Sequence, residues 1–320
     1  MTNNGTIVVG TDLSRCAEAA LEAARRIAPL VKARRIHVVS VVQVPTWVSP
    51  PLLSHAELTD AAYEDVRQGL ERLELDVPGV SVTREVRVGS AARELARVAA
   101  ELGAEMVVVS THGRAGLSRA VLGSVTSTLV RLSHVPVFVV QAEKKLPERF
   151  SRALAAVDLS PVSSLVLGEA ATFVANAPEG RVRVLSLFEH PLVGAASDEL
   201  LPHYVSADEI SAMADAHQHE VRKLVCESHM GEVPVDVEVM SKAPPAQVIL
   251  DVAQMTESDL IVVGTSGRNA LHRMIVGSTA NRVLSEAPCP VLVVPSEVRE
   301  ELPEGDAEPT MAATPVPAHH

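Results

Sequence analysis

Three glycines and a serine on a fixed spacing, Gly264-x-x-Gly267-x9-Gly277-Ser278, are where residue types first suggest chemistry. An apolar run, Leu260-Ile261-Val262-Val263, leads into them, and a helical pattern, Ser278-Thr279-Ala280-Asn281-Arg282-Val283-Leu284, leads out. A strand that empties into a glycine-bearing loop and then a helix start gathers backbone N–H groups and the positive end of a helix dipole around an anion. The arrangement occurs again at Ser110-Thr111-His112-Gly113, nine residues, Gly123-Ser124. Arg114 and Arg268 follow the second glycine position of each copy and are within reach of a phosphate held there. The blander readings are a tight turn packing helix on strand, and two solvated arginines.

Other chemistry finds less support. No GxxxxGK[ST] occurs and no GxGxxG follows the first strand, which excludes the P-loop and the dinucleotide fingerprint. His217 and Glu220 are three apart and could share a helix face as metal ligands do, but single histidines on such a helix are mostly solvated. Cys16, Cys226 and Cys289 form no CxxC pair and read as isolated thiols. His112 alone does not make a catalytic site. No Ser/His/Asp set and no paired carboxylates are legible, so no catalytic and no metal-ligating residue is assigned.

The elements that position these loops repeat. Short apolar runs at Ile7–Val9, 36–44, 80–88, 106–109 and 135–140 alternate with helical patterns over 17–28, 55–75, 91–102 and 124–133. After a charged stretch the order restarts at Ala153. Gly113 and Gly267, Gly123 and Gly277, and Pro136 and Pro290 are each 154 positions apart, whereas Asp12 and Asp158 are 146 apart. The second copy is therefore eight residues longer, and the excess is placed at about 190–210, read as loop. This is a domain-scale repeat: residues 1–142, a linker at 143–150, residues 151–296 and a disordered acidic, Pro- and Ala-rich tail at 297–320. Each half reads β-α-β-α-β-α-β-α-β, which implies an α/β class: two doubly wound parallel sheets, Rossmann-like, with ligands beyond the C-terminal strand ends.

Composition sets bounds on partners. The chain has 320 residues, 47% of them apolar but 2% aromatic, and a net charge of -12. Cores of Val, Leu, Ile and Ala follow. Broad affinity for nucleic acid or an anionic membrane does not, because acidic surfaces repel both and few aromatics remain to stack bases. No signal-like leader and no run of about 20 apolar residues is seen. A soluble cytoplasmic protein is expected.

The doubled Gly-x-x-Gly-x9-Gly-Ser motif after the fourth strand, with an Asp just past the first, resembles the universal stress protein family in its ATP-binding branch. The resemblance covers 5–142 and 151–296 and implies a tandem member that binds ATP, with or without Mg2+, and acts as a stress-response regulator or sensor. It further implies that Gly264, Gly267, Gly277, Ser278 and Thr279 cradle ribose and phosphates, that Asp158 meets the adenine side, and that the backbone of Leu187 reads adenine. The matching set in the first half is Asp12, Val41, Gly113, Gly123 and Ser124. Ser110 stands where the first glycine belongs, so the second site is expected to be the better one. Slow ATP hydrolysis or adenylyl transfer, and a scaffold with vestigial pockets, are the alternatives. In this family the last strands mediate pairing, so the two halves are expected to pair through 135–140 and 290–294, with a further homodimer as an option.

Overall fold

The computed structural model describes residues 5–43, 55–111, 122–188, 207–240, 244–265 and 277–296. The chain divides into two compact units that meet in sequence between Glu148 and Arg149. Unit 1 contains β1 (Thr6–Gly10), α1 (Arg15–Ile27), β2 (Arg35–Val42), α2 (His55–Glu71), β3 (Ser81–Val88), α3 (Ala91–Glu101), β4 (Met106–Ser110), α4 (Ser124–Leu132) and β5 (Val137–Val140). Unit 2 contains β6 (Arg152–Val157), α5 (Ser163–Val174), β7 (Arg181–Leu187), α6 (Ala207–Glu227), β8 (Val235–Met240), α7 (Pro245–Met255), β9 (Leu260–Gly264), α8 (Ser278–Glu286) and β10 (Val291–Val294). The strands within each unit are parallel, in the order β3-β2-β1-β4-β5 and, equivalently, β8-β7-β6-β9-β10. Both sheets are therefore doubly wound, as the alternation of strand and helix patterns predicts.

The central strands are apolar without alternation because helices cover both faces. Ile7, Val8, Val107, Val108, Leu154, Ile261 and Val262 are fully buried, and each such side chain contributes about 1.5–3 kcal/mol relative to exposure. With so few aromatics the helices approach closely on small residues. Helix α1 buries Ala17, Ala20, Ala23, Ala24 and Ile27 in one stripe, starts where the Ser14 side chain accepts from the Ala17 N–H, and ends two residues before Pro29. Two phenylalanine rings do pack together in unit 2, Phe150 edge-on to Phe173 at 5.5 Å.

Strand registers locate the extra residues of the second copy. Ile36 pairs with Val82 and Val182 with Val235, so an offset of 146 before the third strand becomes 153 there. Ile7 pairs with Met106 and Ala153 with Leu260, which makes it 154 by the fourth strand. Seven residues thus enter between the second and third strands and one after them. The stretch 190–210 expected as loop is partly corrected: 189–206 lie outside the described residues, but 207–210 are already helical. Helix α6 has 21 residues against 17 in α2, so part of the insertion lengthens a helix.

One crevice differs in kind between the two units. In unit 1 the space between β3 and α3 holds charges: Arg87 lies 2.7 Å from Glu85, 2.6 Å from Glu101 and 3.9 Å from Glu94, and Arg97 reaches Glu101 at 3.0 Å. His37 joins this cluster through Glu85 at 2.8 Å and Thr83 at 2.7 Å. In unit 2 the same register positions carry Met240 for Arg87, Val248 for Glu94 and Met255 for Glu101, and they line an open cleft of about 430 Å³ with Asp251, Val252 and Gln254. Arg183, at the position of His37, takes Glu238 at 2.9 Å.

Candidate functional site

Each sheet has its switch point where the chain leaves the first strand to one side and the fourth to the other: between β1 and β4, and between β6 and β9. Open α/β sheets bind ligands beyond the C-terminal ends at that point. Asp12 and Ser110–Thr111 lie there in unit 1, and Asp158 and Gly264–Thr265 in unit 2, because Val9 pairs with Val108 and Ala156 with Val263.

The acidic residues are held by a turn built alike in both units. Asp12 Oδ1 accepts from the Ser14 N–H at 3.1 Å and the Ser14 hydroxyl at 2.6 Å. Asp158 Oδ1 accepts from the Ser160 N–H at 3.1 Å and the Ser163 hydroxyl at 3.2 Å. The residue between, Leu13 or Leu159, has φ of 61° or 60°. Left-handed backbone at a leucine costs about 1–2 kcal/mol, so the surrounding bonds must hold it. This conformation was not legible in the sequence, where leucine signals no turn of that hand.

The glycine loops are closed at the neck by one repeated hydrogen bond. Gly123 N–H donates to the Thr111 carbonyl at 2.9 Å, and Gly277 N–H to the Thr265 carbonyl at 3.0 Å. Thr111 and Thr265 in turn donate to Val140 and Val294 of the neighbouring strand at 2.8 and 2.9 Å. Both threonines are buried, and their recurrence 154 positions apart was the signal for them. Gly113, Arg114, Gly267 and Arg268 lie outside the described residues, as does His112.

From the neck the chain enters α4 or α8. Gly123 and Gly277 are their N-caps, with no side-chain cap and no acidic residue in the first turn. The N–H groups of Ser124, Val125 and Thr126, and of Ser278, Thr279 and Ala280, have no carbonyl four residues back. Such an end, unshielded by a carboxylate, attracts an anion. Ser124 and Ser278 are exposed and able to meet one.

Why glycine stands at 277 is informative. Its backbone is ordinary, φ −56° and ψ 147°. A Cβ added there would meet the Thr265 carbonyl at 3.8 Å, an ordinary contact. Neither its backbone nor its contacts with the described residues demand the glycine. Glycine suits a helix N-cap, and its bare Cα also leaves room for a close approach from outside.

The chain matches the family model described as the universal stress protein family twice, over residues 3–141 and 149–295. The chain belongs to the universal stress protein family. A universal stress protein of Mycolicibacterium smegmatis is 30% identical over 308 residues, covering 90% of this chain and 96% of that one. One from Mycobacterium tuberculosis strain H37Rv is 30% identical over 303 residues, with the same coverage. The crystal structure of a universal stress protein from Archaeoglobus fulgidus superposes with a TM-score of 0.58 at 20% identity, over 91% of this chain and 96% of that one, a likeness of fold. The tandem arrangement is thus shared along nearly the full length.

Within this tandem universal stress protein the two domains differ in detail. Ser110 replaces Gly264, and neither residue has positive φ. Serine at 110 therefore carries no backbone cost, and what differs is the side chain. Leu187 ends β7 and Val41 is the last residue but one of β2; both are half-buried, one strand over from the Asp turns. Beside Leu187, Ser186 is fully buried and bonded at 2.9 Å to the Val157 carbonyl and at 2.8 Å to His217 Nε2. Among the described residues no three His, Cys, Asp or Glu side chains gather to hold a metal; His217, expected to be solvated, is instead half-buried and bonded to Ser186. No described helix is long and apolar enough to cross a membrane.

Proposed function

We propose that this universal stress protein binds ATP at the C-terminal rim of its domains and works as a nucleotide-dependent regulator or sensor of stress. The observation that carries the reading is Gly277: a glycine that no contact with the described residues requires, at the start of α8 without a side-chain cap, one hydrogen bond from the end of β9. Phosphates fit that helix start, through N–H groups that have no carbonyl partner within the helix and a dipole of the right sign. The Asp158 turn on the neighbouring strand suits the sugar and base end. Thr279 and Ser278 stand in the first turn of α8, beside the expected phosphates, and Gly267 and Arg268 belong to the same sequence motif. In domain 1 the same roles fall to Asp12, Val41, Gly113, Arg114, Gly123 and Ser124, with Ser110 narrowing the entrance.

Mg2+ enters this reading as the companion ion of the triphosphate, since no carboxylate cluster among the described residues offers it a site of its own. Calorimetric titration with ATP, together with mass spectrometry of nucleotide that co-purifies with the protein, tests the proposal. Saturable uptake with an occupancy of one or two per chain is the expected result. Absence of heat at millimolar ATP, with no nucleotide in the purified protein, overturns it.

A further inference from the structure

We infer that His217 is a positioning residue for the base end of the domain-2 site, acting through Ser186 on the tips of β6 and β7; the inference rests on the nucleotide reading above. The direction of the hydrogen bonds carries it. A carbonyl can only accept, so the single Ser186 hydroxyl proton goes to the Val157 oxygen, 2.9 Å away. The 2.8 Å contact with His217 Nε2 must then use a Ser186 lone pair and an Nε2–H. Ser186 is thus no activated nucleophile, because its proton points away from the imidazole. It is a three-way connector among β6, β7 and α6.

The connector sits where it matters. Val157 immediately precedes Asp158, and Ser186 immediately precedes Leu187. The residues expected to meet the nucleoside on two adjacent strands therefore each follow a residue held in this chain of bonds. The His217 ring also lies against Phe188, with centroids 5.6 Å apart and planes tilted by 37°. Phe188 N–H is bonded to the Met240 carbonyl at 3.1 Å, which secures the far side of the same strand tip. In a chain with 2% aromatic residues, an aromatic contact at one rim is a local feature and not a general packing habit. Domain 1 keeps the serine, as buried Ser40 at the matching strand position. Its helix α2 bears its histidine at the first residue, His55, whereas His217 lies mid-way along α6. The tie therefore separates the two sites in a way the glycine motif does not.

His217→Leu removes the donor, His217→Gln keeps a side-chain N–H of similar reach, and Ser186→Ala removes the connector. Backbone hydrogen exchange is followed at Asp158, Leu159, Leu187 and Phe188 in the free protein, and ATP and GTP are titrated into each variant. In His217→Leu and Ser186→Ala we expect faster exchange at those amides, about tenfold weaker ATP binding at the domain-2 site and a smaller ATP-over-GTP preference. His217→Gln is expected to restore all three. Wild-type exchange and an unchanged ATP-to-GTP ratio in His217→Leu overturn the inference. If the wild type takes up no ATP, the nucleotide reading falls, and the exchange measurement still decides whether His217 holds the strand tips.

Discussion

Leu13 and Leu159, 146 positions apart, turn through the same left-handed backbone, φ 61° and 60°, one residue after an aspartate whose carboxylate caps the turn. Two separate copies retain a conformation that leucine disfavours. Strain of this kind persists where the surroundings over-determine it, and it clusters at binding sites. In both copies it follows the aspartate that lies beyond the end of the first strand, at the switch point of the sheet.

A β-branched residue tolerates that backbone less well than leucine. Leu159→Val is therefore expected to cost about 1–2 kcal/mol of stability and to weaken ATP binding. Leu159→Asn, which visits the region readily, is expected to leave both near wild type. Thermal melts and titrations of the two variants check this, and equal behaviour of Val and Asn would count against it.

Gly277→Ala separates folding from binding. The cap position prefers glycine to alanine by a modest margin, so about 0.5–1 kcal/mol of stability should be lost. Among the described residues the added methyl meets the Thr265 carbonyl at 3.8 Å and nothing closer, so no clash with them adds to that. ATP affinity should fall at least tenfold, as the methyl occupies the approach to the helix start. Gly277→Val should remove most binding and Gly123→Val less of it, while Ser110→Gly should tighten the domain-1 site.

Arg87 offers a test of charge balance. Its side chain is 14% exposed and faces Glu85, Glu94 and Glu101. Arg87→Met alone copies Met240 but strands those carboxylates, and should cost about 1–3 kcal/mol. Adding Glu94→Val and Glu101→Met completes the apolar pattern of domain 2 and should recover most of the loss, since a charged cluster replaced as a whole is often neutral. Urea denaturation of the single and triple variants reads both values. A triple variant less stable than the single one would refute the argument.

Acid stability should depend on Glu85. The hydrogen bond from His37, with Arg87 beside it, holds its carboxyl below the ordinary value of 4.5 against the upward push of burial. A folded value below the unfolded one means stability present above about pH 4.5 and lost as pH falls through the folded value. Glu85→Gln is expected to lower stability at neutral pH and to flatten its decline below pH 4.5. Asp259 has the opposite sign, since burial pushes it up against its bonds from Ser151 and Arg152, and it does not account for an acid-side loss. Parallel stability-against-pH curves for wild type and Glu85→Gln would dismiss the link.

The repeat, the parallel α/β class, the strand–glycine–helix motif and its family were legible in the chain itself. Hydrophobic period and turn residues are local properties, and a motif repeated at a constant offset reports its own context. The same locality explains the misplacement at 207–210, where an insertion with polar residues reads as loop although α6 extends into it. What the tertiary structure decided is everything that depends on which strands lie side by side. The charged crevice at Arg87 in unit 1, the apolar one at Met240 in unit 2 and the Val157–Ser186–His217 tie all join residues distant in sequence. Their partners are set by parallel register across crossovers of dozens of residues, a long-range packing outcome that no local pattern encodes.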